Sequence, residues 1–398
     1  MVERTRYLDE LIKLKDKHII KVVTGIRRAG KSTLFTLYRK KLIEFGVDEK
    51  HIINLNFEDP EHMNFSHWKE LYDYIEQKLD NNKMNYIFLD EIQIMPDFEK
   101  VVNGLFIKEN VDLYITGSNS YMLSGELATF LTGRYMQIHI LPLSFDEYMS
   151  AKEDKNEAKI FNEYLDNGGF PYLLSIDNDK ALVRNYLDGI YNTILLKDVV
   201  YRAKIKDYMI LESVVRFLFD NIGQMVSINK ICNTLNTNNR RCSVNTIESY
   251  IKNLLDSFIL YRVGRYDIKG KEYFKTGDKY YICDLGLRNY LLGEKRDLGS
   301  MLENIIFLEL KRKNYQIYIG KYCDKEVDFV AINEKGLHYI QVALSVRDVK
   351  TLERELSSLK LIKDNYPKYL ITLDFETVMH DGIKQINALE FLLGRTDL

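Results

Sequence analysis

Eight residues constrain the fold of this 398-residue chain more than any others: Gly25-Ile-Arg-Arg-Ala-Gly30-Lys31-Ser32. They follow the β-branched apolar run His18–Thr24 and open the stretch Lys31–Phe45, whose apolar residues recur at helical spacing. A strand that turns through two glycines into a helix presents successive backbone N–H groups to an anion, backed by the helix N-terminus. At the spacing GxxxxGK[ST], the lysine reaches the β- and γ-phosphates of a nucleotide and the hydroxyl reaches Mg²⁺. Gly25, Arg28, Ala29, Gly30, Lys31, Ser32 and Thr33 are therefore candidate nucleotide-binding residues, with Lys31 also catalytic and Ser32 a metal ligand. The competing reading is a glycine-rich strand-to-helix turn that binds nothing.

Further apolar runs support the first reading. His51–Phe57, Asn85–Leu89, Asp112–Thr116 and Tyr135–Leu141 read as short buried strands, separated by helical stretches such as Leu71–Asp80. That alternation predicts an α/β fold with a parallel sheet covered on both faces. The run Tyr86-Ile-Phe-Leu-Asp90-Glu91 delivers two carboxylates at a strand's C-terminal end, where such sheets bind ligands. Asp90 suits Mg²⁺ coordination and Glu91 suits deprotonation of an attacking water. Ser118 and Asn119, after the Asp112–Thr116 run, occupy the position of a γ-phosphate sensor, or form a hydroxyl-rich turn. Asn56 ends another strand and is a candidate restraint on Glu91. Arg134 directly precedes the fifth strand, where an arginine can reach a neighbouring subunit's site or simply be solvated.

Beyond the polar stretch Ser150–Glu157 the pattern changes, which suggests four parts: a nucleotide-binding core over 1–150, a helical extension or lid over 151–207, a three-helix-plus-hairpin segment over 208–284, and a small α/β unit over 285–398. Three helices and a hairpin describe a winged helix. Between Asn236 and Tyr280 nine basic residues face five acidic ones, a local surplus of +4 in a chain whose net charge is -2. Arg240, Arg241, Lys252, Lys269 and Lys271 are its candidate nucleic-acid contacts, against the alternative of a protein-docking module. In the last unit, helix Glu303, strand Asp328 and Gln341 resemble the metal-binding set of a restriction-endonuclease-like core. Ala343 stands where that core carries lysine and Gln341 lacks the usual charge, so a fold-retaining, cleavage-poor domain is expected.

The order of motifs GIRRAGKST, FLDEIQ, ITGSNS, GR before LPLSFDEY, GGFP and LLKDVVYR is similar to that of a family of prokaryotic AAA-type ATPases. In that family a C-terminal domain of unknown function follows the core. The segments KYYICDLGLRNYLLG and EVDFV extend the resemblance over essentially the whole chain. It implies ATP and Mg²⁺ as cofactors, with Lys31, Ser32, Asp90 and Glu91 in the roles above, and leaves partners open: DNA, an unidentified protein or a second copy. Composition agrees with a globular protein: 46% of residues are hydrophobic and 29% charged, too apolar for a disordered chain. No signal sequence or membrane span is visible, and four well-separated cysteines suit reduced thiols in a cytoplasmic setting. The 28 tyrosines are expected to pack at core edges rather than stack on bases.

Overall fold

The computed structural model describes residues 2–62, 65–120, 133–176, 179–201, 203–205, 207–237, 242–273, 277–293 and 297–398. They form two compact units, one reaching to Pro142 and including Asp256–Phe258, the other Leu143–Leu255 with Ile259–Leu398.

The first unit runs α1 (Thr5–Lys13), β1 (Ile20–Thr24), α2 (Lys31–Glu44), β2 (Ile52–Asn56), α3 (Trp68–Glu76), β3 (Asn85–Asp90), α4 (Phe98–Phe106), β4 (Val111–Gly117) and β5 (Tyr135–His139). The five strands are all parallel, in the order β2-β3-β4-β1-β5. Every residue of β1, β3 and β4 is buried. A parallel strand covered on both faces is buried along its length and reads as mostly apolar. Edge strand β2 alternates instead, turning Ile53 and Leu55 inward onto a core shared with Ile87, Leu89 and Ile115. The polar residues within the central strands satisfy one another. Lys21 pairs with Asp112, which also accepts from the Tyr114 hydroxyl at 2.8 Å. That hydroxyl meets Tyr38 at 3.0 Å, so these tyrosines are packed with their polar tips partnered. Because β4 lies between β1 and β3, its C-terminal end separates the glycine-rich turn from the acidic strand end.

The second unit begins with α5 (Phe145–Ser150), α6 (Glu157–Asn167) and α7 (Lys180–Thr193), which continues as a wider π-type helix over Ile194–Tyr201. The polar stretch Ser150–Glu157 thus links α5 to α6. Next come α8 (Tyr208–Asp220), β6 (Met225–Val226), α9 (Ile228–Thr237), α10 (Val244–Asp256), β7 (Leu260–Val263), β8 (Arg265–Asp267), β9 (Glu272–Tyr273) and β10 (Asp278–Ile282). The remainder is α11 (Leu285–Leu292), α12 (Leu298–Arg312), β11 (Gln316–Tyr322), β12 (Lys325–Asn333), β13 (Gly336–Val342), α13 (Val349–Leu361), β14 (Lys368–Thr372), β15 (Met379–His380), β16 (Ile383–Asn387) and α14 (Ala388–Leu392).

Strands β6, β10 and β7 form a small antiparallel sheet in that order, beside α8, α9 and α10 in the chain. The sequence reading joins β7 to β10 by one turn. The chain instead detours through the β8–β9 hairpin, and β8 pairs in parallel with β11. The hairpin is thereby the edge of an eight-stranded sheet ordered β15-β16-β14-β13-β12-β11-β8-β9. The cause is apolar: Ile268 is 5% exposed in a core with Val327, Val330 and Leu370, and Tyr266 packs against it. Among the described residues, no helix is long and apolar enough to cross a membrane.

Candidate active site

The glycine-rich turn leaves β1 at Gly25, where a side chain has no room: a Cβ would lie 2.2 Å from the Ile140 carbonyl oxygen. Gly30, with φ 100°, is the left-handed residue from which α2 starts. Between them Arg28 is exposed and Ala29 is fully buried. The Ala29 carbonyl accepts from Arg4 Nη1 at 3.1 Å, while Arg4 Nη2 donates to Leu141 O at 2.6 Å. Arg4, 3% exposed, therefore ties the turn to the segment after β5.

Lys31, the first residue of α2, donates to the carbonyls of Gly25 at 3.1 Å and Ile26 at 3.4 Å. Its ammonium also pairs with Glu91 Oε1 at 3.1 Å, and neither side chain is more than 6% exposed. Burial pushes the Glu91 carboxyl up, but the Lys31 charge and a hydrogen bond from Gln93 outweigh it and hold Glu91 below the ordinary glutamate value. Asp90 lies above its ordinary value because burial prevails over the Ser32 and Thr116 hydroxyls that bond to it. Thr116, from the intervening β4, donates to Asp90 Oδ1 and accepts the Glu91 backbone N–H at 2.8 Å. One hydroxyl thus holds both acidic residues in place. The Ser32 hydroxyl and Asp90 carboxylate converge as oxygen donors, the set a hard divalent cation takes. Thr33 follows on α2, half-buried.

Ser118 and Asn119 follow β4 and are buried, and Ser118 Oγ has no hydrogen-bond partner among the described residues. Asn56 is in register with Asp90, and its Oδ1 accepts from the Glu58 backbone N–H at 3.0 Å. Arg134 is exposed, with its guanidinium 5.8 Å from the Phe106 ring centre, and its carbonyl accepts from Ile20 N–H. It therefore stands at the start of β5, at the end of the sheet opposite the glycine-rich turn.

In the second unit Lys252 is exposed on α10, and Lys269 and Lys271 are exposed at the β8–β9 turn. Arg240 and Arg241 lie outside the described residues. Glu303 on α12 and Asp328 on β12 come together with a residue that sequence reasoning passed over. Lys279 of β10, 3% exposed, lies 3.0 Å from Glu303 Oε1, 2.7 Å from Glu326 Oε1 and 3.8 Å from Asp328 Oδ1. Burial alone would lower this lysine, yet the three carboxylates hold it above its ordinary value. Burial raises Glu303 and Asp328, the latter also through the Glu303 charge. Tyr281 donates to Glu303 at 2.6 Å. Gln341 accepts from the Asp328 backbone N–H at 3.3 Å, and Asp328 Oδ2 accepts from Val342 N–H at 2.9 Å. The signal for Lys279 was its alternation with Tyr281 along DKYYI, which sets both on one face of β10.

Residues 17–149 match the model of a family described as an AAA domain, and residues 158–298 match one described as a domain of unknown function, DUF8612. An uncharacterized protein of Haemophilus influenzae is 41% identical over 400 residues, 99% of each chain. Another from Methanocaldococcus jannaschii is 31% identical, over 90% of this chain and 82% of its own. Among solved structures, the Walker-type ATPase PABY2304 of Pyrococcus abyssi is similar at a TM-score of 0.48 and 16% identity, covering 73% of this chain and 96% of its own.

Proposed function

Because this chain belongs to the family of P-loop AAA-type ATPases in which a domain of unknown function follows the AAA domain, we propose that it hydrolyses ATP with Mg²⁺ and uses the cycle to rearrange its C-terminal unit, with DNA as the favoured target. The observation that carries the hydrolase reading is the buried contact of Lys31 with Glu91, beside Asp90 and Ser32, at the C-terminal edge of one parallel sheet. Lys31 neutralises the phosphates, the Gly25–Gly30 amides cradle them, and Ser32 and Asp90 hold Mg²⁺. When bound, the ion would supply positive charge to the reacting phosphates. Glu91 takes a proton from water, Ser118 and Asn119 sense the γ-phosphate, and Asn56 limits Glu91 until a partner binds. Arg134, remote from its own cradle, serves the site of a second copy.

The DNA reading rests on the exposed Lys252, Lys269 and Lys271, in the segment whose sequence suggests a winged helix. The pairing of β8 with β11 favours a second reading, a switch acting on a protein partner, because the hairpin is not free to track a groove. The Glu303–Asp328 cluster is read as cleavage-poor, since Ala343 stands where a restriction-endonuclease-like core carries lysine and Lys279 already pairs with the acids.

The test is ATP turnover with Mg²⁺, with and without duplex, single-stranded and branched DNA. Lys31→Ala and Glu91→Gln should each lower turnover by about 10²–10⁴-fold, the second while retaining ATP. Parental turnover by Glu91→Gln would remove the base assignment. Stimulation by DNA supports the favoured target, and indifference to DNA with a response to a co-purifying protein supports the switch. Loss of DNA cleavage in Asp328→Ala would restore the nuclease reading, and mass measurement of ATP-bound Glu91→Gln tests assembly.

A further inference from the structure

Glu91 has φ 53°, a left-handed conformation uncommon outside glycine, and this turns the chain directly from β3 into the 3₁₀ turn Ile92–Ile94. The turn folds Gln93 back onto Glu91, and Gln93 Nε2 donates to Glu91 Oε2 at 2.5 Å. Chemistry fixes which end of the amide makes this bond, because only the NH₂ can face a carboxylate. The other end, Gln93 Oε1, is buried and accepts no hydrogen bond among the described residues. Within one amide the oxygen and nitrogen are about 2.3 Å apart, so this idle acceptor lies within about 5 Å of the base. A buried acceptor left without a donor is costly unless a ligand or water satisfies it at another stage.

We propose that Gln93 is a positioning residue for hydrolysis, holding Glu91 through its NH₂ and orienting the attacking water through its Oε1. This rests on the hydrolase reading above. Each Glu91 oxygen is engaged, Oε1 by Lys31 and Oε2 by Gln93. Phosphate draws Lys31 away and frees Oε1, while Gln93 keeps the carboxylate from swinging out. A water can then donate one O–H to Glu91 Oε1 and the other to Gln93 Oε1, leaving a lone pair for the γ-phosphorus. The water oxygen bonds to phosphorus as the bridging P–O bond breaks toward ADP, and the water's proton passes to Glu91. The products are ADP and inorganic phosphate. Asn56, by contrast, spends its oxygen on its own loop at Glu58.

The experiment compares Gln93→Ala and the similarly sized Gln93→Met with the parent in kcat, in KM for ATP and in the pH profile of kcat. Both variants should lose about 10–100-fold in kcat at little-changed KM, the scale of a misplaced reactant. Removing the donor to Glu91 should also move the acid limb of the profile to higher pH, which a purely structural defect would not do. Parental kcat with an unmoved acid limb would overturn the proposal. So would a rise in KM with kcat intact in Gln93→Met. A parent that turns over no ATP would overturn the hydrolase reading itself, a result seen before any Gln93 variant is made.

Discussion

Lys31 and Lys279 are both buried ammonium groups among carboxylates, 4% and 3% exposed, yet their surroundings differ in kind. Lys31 sits at a helix start, held by two main-chain carbonyls and one carboxylate. On the hydrolase reading, a phosphate offers the same negative charge at the same edge, which makes the partners of Lys31 exchangeable. Lys279 projects from the middle of a sheet into three carboxylates, one of them also bonded to Tyr281. Nothing comparable is left for an incoming anion to replace. On the hydrolase reading, the same pairing of lysine and acid makes a switchable contact where a helix start carries the cation, and a fixed one where the middle of a strand does.

The largest effect should come from breaking the fixed contact. Lys279→Met leaves Glu303 and Asp328 buried without their cation, at an expected loss of about 3–5 kcal/mol. The pH dependence follows from the direction of their shifts. Carboxyls raised in the folded state contribute stability below their unfolded value and lose it as pH rises through the folded one. Without Lys279 they rise further, so the deficit should be deepest near about pH 8 and shrink toward about pH 5. Thermal unfolding of parent and variant across that range measures it. A deficit independent of pH would mean that Lys279 packs rather than neutralises.

The exchangeable site was largely legible in the sequence because its chemistry is local. Gly25 to Ser32 and Asp90–Glu91 each carry their meaning in spacing and in the strand they end, and the strand order only brings them together. What stayed hidden depends on long-range register. Arg4 supports the cradle through Ala29 and Leu141, and neither carbonyl is visible in a motif. Lys279 reads as one more basic residue of a hairpin until β10, α12 and β12 are packed. The turn at Lys269-Gly270-Lys271 was legible, but the partner of β8 is β11, some fifty residues on. The two-residue strand β15 has no alternation to detect.

Smaller effects separate the two sites by what they disturb. Thr116→Val removes the hydroxyl that bridges Asp90 and the Glu91 N–H, and should cost about 1–2 kcal/mol together with about tenfold in turnover. Tyr281→Phe removes a comparable bond to Glu303 and should cost about 1 kcal/mol of stability with turnover unchanged. Paired measurements of unfolding and ATPase rate decide it. A loss of turnover in Tyr281→Phe exceeding that in Thr116→Val would mean that the fixed cluster takes part in the nucleotide cycle.

The smallest effect concerns a third setting for lysine, with no carboxylate held against it among the described residues. Lys269 and Lys271 are exposed at the β8–β9 turn. If they meet DNA phosphates, each substitution by alanine should weaken binding equally across sequences and reduce the salt slope by about 1. The two lysines are neighbours on one turn, so the double substitution measures whether they share a phosphate or contact separate ones. Binding measured between about 50 and 200 mM salt decides the matter. A parental affinity flat over that range would leave the hairpin as a structural edge of the sheet and shift the weight to the protein-partner reading.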